Sequence, residues 1–87
     1  IQMNGQPLEQ EAFLKAGQAV YQAMAATLPP EAYLTYFEFI NAMAFWHFAQ
    51  HSVAIAIIET GLGGLLDSTN VMKAPLITII TRLGMDH

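Results

Sequence analysis

The chain has 87 residues, of which 54% are hydrophobic and 11% charged, and its net charge is -4 at pH 7. Three residues are Lys or Arg, so the clustered basic side chains of a nucleic-acid-binding surface are missing. There is no cysteine, which excludes disulfides and thiolate metal sites, and no apolar stretch has the length of a membrane span. We therefore expect neither nucleic acid nor a membrane as a partner.

The first third of the chain predicts a tight turn and then an amphipathic helix. Asn4-Gly5 is typical of a turn after a short strand end at residues 1–3, and Pro7 with the carboxylates Glu9 and Glu11 suits the start of a helix. The apolar stripe of this helix recurs at helical spacing: Phe13, Ala16, Val20, Tyr21, Met24 and Leu28. Pro29-Pro30 predicts its end.

A second helix is predicted by its N-terminal signals. Thr35 and Glu38 have the spacing of a capping box, and Leu34 and Phe39 have that of a hydrophobic staple. From there to about Gln50 the sequence is apolar around most of the helix circumference. We expect this helix to be buried on several sides.

Two later apolar runs, residues 53–58 and 76–81, are rich in β-branched residues and lack polar alternation. This pattern is typical of strands that are covered on both faces in a parallel sheet. The sequence therefore predicts an α/β fold in which two helices are followed by two parallel strands.

Potential ligand-binding side chains follow both predicted strands. Glu59 comes directly after the first run and opens a glycine-rich loop, and His87 follows the second run. Ligands bind at the carboxyl ends of strands in open α/β sheets, and a carboxylate suits Mg²⁺, although a lone histidine at such a position is more often solvated. The loop glycines, which permit positive φ but also occur in many ordinary turns, are Gly61, Gly63 and Gly64. No Gly-Lys-Ser/Thr follows them, so this is not a Walker phosphate loop.

Residues 59–70 read Glu-Thr-Gly-Leu-Gly-Gly-Leu-Leu-Asp-Ser-Thr-Asn, and Asp86-His87 comes after the second apolar run. This arrangement resembles the folylpolyglutamate synthase and dihydrofolate synthase family of the Mur ligase superfamily, whose members carry Glu-x-Gly-x-Gly-Gly-x-x-Asp-(Ala/Ser)-Thr-Asn and a later Asp-His. Residues 1–7 and 35–39 also look like family segments. The resemblance implies that residues 1–87 are an internal fragment of the central ATPase domain, a three-layer parallel-sheet domain of the P-loop type. The phosphate-binding loop and the C-terminal domain would be absent.

The resemblance also implies a function. The full-length parent would be a ligase that uses ATP to activate a folate carboxylate as an acyl phosphate and then joins L-glutamate to it, with Mg²⁺ as cofactor. Because no signal peptide or membrane span is visible in the sequence, we expect this parent to be cytoplasmic. The 87-residue piece alone would be inactive, and no residue would act directly as a catalytic group. The implied metal ligands are Glu59 and His87. The implied folate contacts are Thr35, Phe37, Asp67 and Ser68, each of which also has a local structural explanation in capping, core packing or turn hydrogen bonds.

Alternatives stay open. Leu65 stands where many members have an arginine, which favours a folylpolyglutamate synthase over a bifunctional enzyme that also makes dihydrofolate. Another Mur-type ligase is a second alternative. A non-catalytic α/β interaction module is a rival of a different class. In every case we expect exposed apolar surface, covered by missing parts of the parent or by self-association.

Overall fold

A computed structural model describes residues 1–85 of the chain. Its elements are β1 (Gln2–Met3), β2 (Gln6–Pro7), α1 (Gln10–Thr27) and α2 (Tyr36–Gln50). The strands form a two-stranded antiparallel sheet and the helices pack against each other. Among residues 1–85, neither helix has the length and apolar character needed to cross a membrane.

The N-terminal hairpin is closed by a two-residue turn. Asn4 and Gly5 have φ values of 54° and 76°, as a type I′ turn requires at both of its central positions. Gln2 is paired with Pro7 and Met3 with Gln6. The predicted turn is confirmed, but Pro7, which the sequence assigned to the start of the first helix, lies in β2, and the helix begins at Gln10.

Both predicted helices are present. α1 begins after Glu9, which makes no side-chain cap, and ends one residue before Leu28, whose backbone is extended. Its buried stripe is narrower than the sequence predicts, because only Ala16 and Val20 are buried while Phe13 is 42% exposed and Tyr21 62% exposed.

The start of α2 has the predicted capping box. The backbone N–H of Thr35 donates to Oε2 of Glu38 at 2.8 Å, and the backbone N–H of Glu38 donates to Oγ1 of Thr35 at 3.3 Å. The two residues of the predicted staple, Leu34 and Phe39, both pack against the core. The cap satisfies N–H groups that a helix end otherwise leaves unpaired.

The core is the contact between the two helices. Met43 of α2 is 2% exposed and packs with Ala16 and Val20 of α1. A Cβ atom on Gly17 would lie 3.8 Å from the terminal methyl carbon of Met43, so the side chain lies close against the backbone of α1. Small residues on α1 therefore make room for a long, flexible one on α2.

The predicted arrangement of two helices followed by two parallel strands is wrong. The strands come first and are antiparallel, and among residues 1–85 neither 53–58 nor 76–81 forms a strand. Ile57 is 92% exposed and Leu76 is 89% exposed. A β-branched apolar run indicates that a segment favours burial in a sheet. A strand also needs a neighbouring strand for its backbone hydrogen bonds. Within residues 1–85 the two runs do not pair with each other or with the hairpin.

His47 is the main buried polar side chain of α2. It is 2% exposed, and its Nε2 has no hydrogen-bond partner among the described residues. The ring of His51 lies 4.1 Å away between centroids, and its Nδ1 is 2.9 Å from the carbonyl oxygen of His47. Burial lowers the pKa of His47 below its ordinary value, and the charge of His51 lowers it further.

Removing the cap should destabilise the helical pair. We expect Thr35→Ala to lower the free energy of unfolding by about 1 kcal/mol, because the Thr35 hydroxyl no longer accepts from the Glu38 N–H or donates to Oε2 of Glu38. Urea unfolding followed by circular dichroism measures this. Thr27→Ala is the matched control, since its hydroxyl bonds the Ala23 carbonyl inside a helix and adds little stability. Equal losses in the two variants would contradict the role of the cap.

The buried histidine should make stability depend on pH. The unfolded chain takes up a proton near the ordinary histidine pKa of about 6.5, whereas folded His47 resists protonation to a lower pH. The free energy of unfolding should therefore be highest above about pH 6.5, the ordinary histidine pKa, and should fall as the solution is acidified below it. Urea unfolding as a function of pH tests this.

The control for this pH dependence lies on the same helix. His47→Gln should reduce the change of the unfolding free energy with pH. His51→Gln should keep most of that change, because burial is the larger cause of the lowered His47 pKa. A slope that is unchanged in His47→Gln would assign the dependence to other groups.

Candidate functional site

The glycine-rich segment after Glu59 folds into successive tight turns. Backbone N–H groups of Gly64, Asp67 and Asn70 donate to the carbonyl oxygens of Leu62, Gly64 and Asp67 at 2.8, 3.1 and 2.9 Å, respectively. Gly63 and Gly64 have φ values of 74° and 116°, a region that other L-residues rarely adopt. The glycines thus permit the loop to double back within a few residues.

The carboxylate of Asp67 holds these turns together. Its Oδ2 accepts hydrogen bonds from the backbone N–H groups of Gly61 at 3.1 Å and Leu62 at 2.9 Å. Its Oδ1 accepts from the backbone N–H of Thr69 at 2.9 Å and from the Thr69 hydroxyl at 2.6 Å. Each carboxylate oxygen thus accepts two hydrogen bonds, which fills the four lone-pair positions of the group.

These donors favour the ionised form of the carboxylate. The hydroxyl of Thr69 lowers the pKa of Asp67 most, and the backbone N–H groups of Thr69, Leu62 and Gly61 lower it further. The loop therefore keeps its negative charge and its hydrogen bonds throughout the neutral range. Thr69 itself is 4% exposed, and its Oγ1 lies 3.4 Å from Oγ1 of Thr60.

One face of α2 carries the loop. Phe37 packs against the backbone of Gly61 so closely that a Cβ atom there would lie 2.5 Å from Cζ of its ring. One helical turn later, Nδ2 of Asn41 donates to Oγ of Ser68 at 2.7 Å. Residues four apart on a helix lie on the same side, so one face supplies an aromatic contact and a polar contact to the loop.

The structure brings together some of the residues proposed from the sequence. Phe37, Gly61 and Asp67 meet, since the same Cβ position on Gly61 lies 3.1 Å from Oδ2 of Asp67. Ser68 lies beside them. The hydroxyl of Thr35 is engaged in the cap, where it also donates to Oε2 of Glu38 at 3.0 Å.

Of the two proposed metal ligands, the structure describes only Glu59. Glu59 is exposed and borders an open cavity of about 930 Å³ between β1, α2 and residues 53–58. His87 lies outside the described residues. Within residues 1–85 no group of three His, Cys, Asp or Glu side chains could hold a metal ion.

Sequence reasoning missed two residues of this site. Asn41 is one of the few polar side chains in the apolar stretch of α2, and that contrast was a usable signal that it has a specific partner. Thr69 stands two residues after Asp67, the spacing at which an aspartate side chain commonly bonds a backbone N–H.

Comparison with known proteins gives relatives that match the whole chain. It is 38% identical over 90 residues to the mitochondrial folylpolyglutamate synthase of Bos taurus. It is 42% identical over 89 residues to the probable folylpolyglutamate synthase of Schizosaccharomyces pombe, and 36% identical over 89 residues to the folylpolyglutamate synthase of Lacticaseibacillus casei. In each case 100% of this chain is matched, but it spans only 15% to 21% of the relatives' length. No family model and no solved structure matches the chain. The resemblance seen in the sequence is confirmed.

The loop should open when its carboxylate is replaced. In Asp67→Asn one of the two acceptor oxygens becomes an NH₂ donor, which cannot accept from the N–H groups it then faces. If the NH₂ group takes the place of Oδ2, amide hydrogen exchange at Gly61 and Leu62 should become at least several-fold faster. If it takes the place of Oδ1, exchange at Thr69 should become faster by a similar factor.

Glu59→Gln is the matched control for this exchange measurement. It makes the same chemical change at the start of the loop, where the described residues give the side chain no hydrogen bond. If exchange at these amides is equal in the wild type and in Asp67→Asn, the carboxylate does not hold the loop.

Proposed function

We propose that this chain, a homologue of folylpolyglutamate synthases over its whole length, is part of an ATP-dependent ligase that adds L-glutamate to a folate. The observation that carries this proposal is that the chain aligns over its whole length, at 36% to 42% identity, with proteins of that name. The architecture of the loop supports it, because a rigid loop beside an exposed aromatic ring is suited to holding a planar ligand. We propose that residues 1–87 are part of the ATP-binding central domain.

The proposed reaction has two steps. A terminal carboxylate oxygen of the folate attacks the γ-phosphorus of ATP, and ADP leaves as the acyl phosphate forms. The amino group of glutamate then attacks the acyl carbon, so that an amide forms, inorganic phosphate leaves and the amino group loses a proton. The protein contributes mainly by positioning the reactants and by stabilising charge, as in other phosphoryl transfers.

Glu59 is the residue of the described chain that we assign to Mg²⁺. Mg²⁺ bound with a nucleotide commonly uses one or two carboxylates together with phosphate oxygens and water, so a single exposed carboxylate at the edge of a cavity fits that requirement. When bound, the ion would neutralise charge on the phosphates. From the resemblance alone, His87 is proposed to bind a second metal ion.

We assign the folate-facing role to Phe37 and Ser68. Phe37 is 43% exposed although one part of its ring lies on Gly61, so the residue keeps free surface for stacking. Asp67 and Thr35 are proposed to act at the same site by fixing the loop and the start of α2, since their polar atoms are already engaged.

The compartment and the subtype are separate proposals. We place the parent in the cytoplasm, while noting that the bovine relative is named as mitochondrial. We propose a monofunctional enzyme, because Leu65 is a neutral side chain that is 84% exposed and offers no charge to a substrate. A dihydrofolate synthase activity is the alternative, and assay with dihydropteroate in place of folate distinguishes the two.

The test uses the full-length protein that contains this chain. We expect it to extend a reduced folate in a reaction that requires ATP, glutamate and Mg²⁺. Glu59→Ala should lower kcat/KM by at least about 10-fold, since losing even a side chain that only orients a metal ligand costs about 10- to 100-fold, and it should raise the Mg²⁺ concentration needed for half-maximal rate. Glu31→Ala, which removes an exposed carboxylate between the helices, is the control.

Two outcomes would contradict the proposal. Equal Mg²⁺ requirements in the wild type and Glu59→Ala would remove Glu59 from the metal site. No extension by the wild-type protein would exclude the ligase function. The non-catalytic interaction module would then be favoured, because the apolar side chains of residues 53–58 and 76–81 are largely exposed.

A further inference from the structure

We propose that Asn41 is a positioning residue that fixes the Ser68 hydroxyl as a hydrogen-bond donor toward the folate. This inference rests on the proposed function, because it concerns how the same site selects its substrate. It assigns a role to a helix residue that the sequence pattern of the loop does not include.

The direction of one hydrogen bond carries the inference. Nδ2 of Asn41 donates to Oγ of Ser68 at 2.7 Å. A serine hydroxyl has one hydrogen to donate and two lone pairs that accept. Because one lone pair is occupied by the amide N–H, the hydroxyl hydrogen points away from Asn41. Among residues 1–85 no acceptor for that hydrogen is found, so it is available to a ligand.

The helix makes this direction stable. Asn41 is half-buried on α2, and Ser68 lies 27 positions later in the chain. Leaving a half-buried amide without a partner costs free energy, which favours keeping the bond. Asn41 also borders the cavity that Glu59 borders. The same side chain therefore contacts the loop and borders the cavity of the proposed metal ligand.

The ligand chemistry follows from these contacts. A planar heteroaromatic group that stacks on the exposed part of Phe37 must offer an acceptor, a carbonyl oxygen or ring nitrogen, to Ser68. A group that offers only an N–H could donate to the second lone pair of the hydroxyl, but it would leave the hydroxyl hydrogen without an acceptor and would bind less tightly. Asn41 would thus select the ligand by its hydrogen-bonding pattern while taking no part in phosphoryl transfer.

Asn41→Asp tests the direction of the bond in the full-length protein. The carboxylate has nearly the same shape but can only accept, so the Ser68 hydroxyl turns to donate to it and presents lone pairs to the ligand. We expect the KM for folate to rise about tenfold, the effect of losing one hydrogen bond, with kcat and the KM values for ATP and glutamate little changed. Asn41→Leu removes the donor without adding a charge and should give a smaller rise.

A double-mutant cycle with Ser68→Ala separates this role from a general structural one. If Asn41 acts through the hydroxyl, Asn41→Asp should have almost no further effect on the KM for folate once Ser68 is alanine. An equal rise in the Ser68→Ala background, or a rise in the KM values of all three substrates together, would overturn the proposal. Circular dichroism of each variant verifies that the helices are retained.

Equilibrium binding of folate without ATP separates failure of this inference from failure of the proposed function. A wild-type protein that binds folate but does not extend it would contradict the ligase function, and the same cycle measured on Kd would still decide the role of Asn41. A protein that does not bind folate at all would overturn both. Extension by the wild type, with an unchanged KM for folate in Asn41→Asp, would overturn the inference alone.

Discussion

The ionised carboxylate of Asp67 is the interaction on which the candidate site depends. It gathers the backbone N–H groups at one end of the loop, and the Thr69 hydroxyl and N–H at the other, onto two oxygen atoms. Donors that would otherwise need water or a ligand are satisfied inside the loop, and hydrogen bonds to a charged acceptor are stronger than neutral ones. The loop is therefore shaped before any ligand arrives, which lowers the entropy that binding must overcome.

α2 links this loop to the rest of the molecule. One part of its surface packs Met43 against α1, while Phe37 and Asn41 hold the loop. A helix that is apolar around most of its circumference can serve two such contacts at once, whereas an ordinary amphipathic helix has one apolar face. The capping box at Thr35 fixes the start of this shared element, so its contribution extends to both contacts. The site is built on a rigid helix rather than on loops alone.

Features that depend on nearby residues were predictable from the sequence, and features that depend on distant partners were not. The Asn4-Gly5 turn and the cap at Thr35 are encoded within a few residues each, both helices are encoded by patterns within their own length, and the structure has all of them. The strands predicted at residues 53–58 and 76–81 were wrong because their pattern identifies apolar segments without identifying what they pair with. The bond from Asn41 to Ser68 spans 27 residues and has no local pattern. The assignment of Glu59 and His87 to a metal depends on resemblance rather than on geometry.

The burial of Met43 has a consequence for chemical ageing of the protein. A thioether converted to a sulfoxide becomes polar and larger, and it disrupts an apolar contact. Met43 is 2% exposed and lies against the backbone of Gly17, whereas Met85 is fully exposed and Met72 is 45% exposed. A mild oxidant should therefore consume the surface sulfurs first, while the sulfur whose oxidation would separate the two helices is protected by the helices themselves.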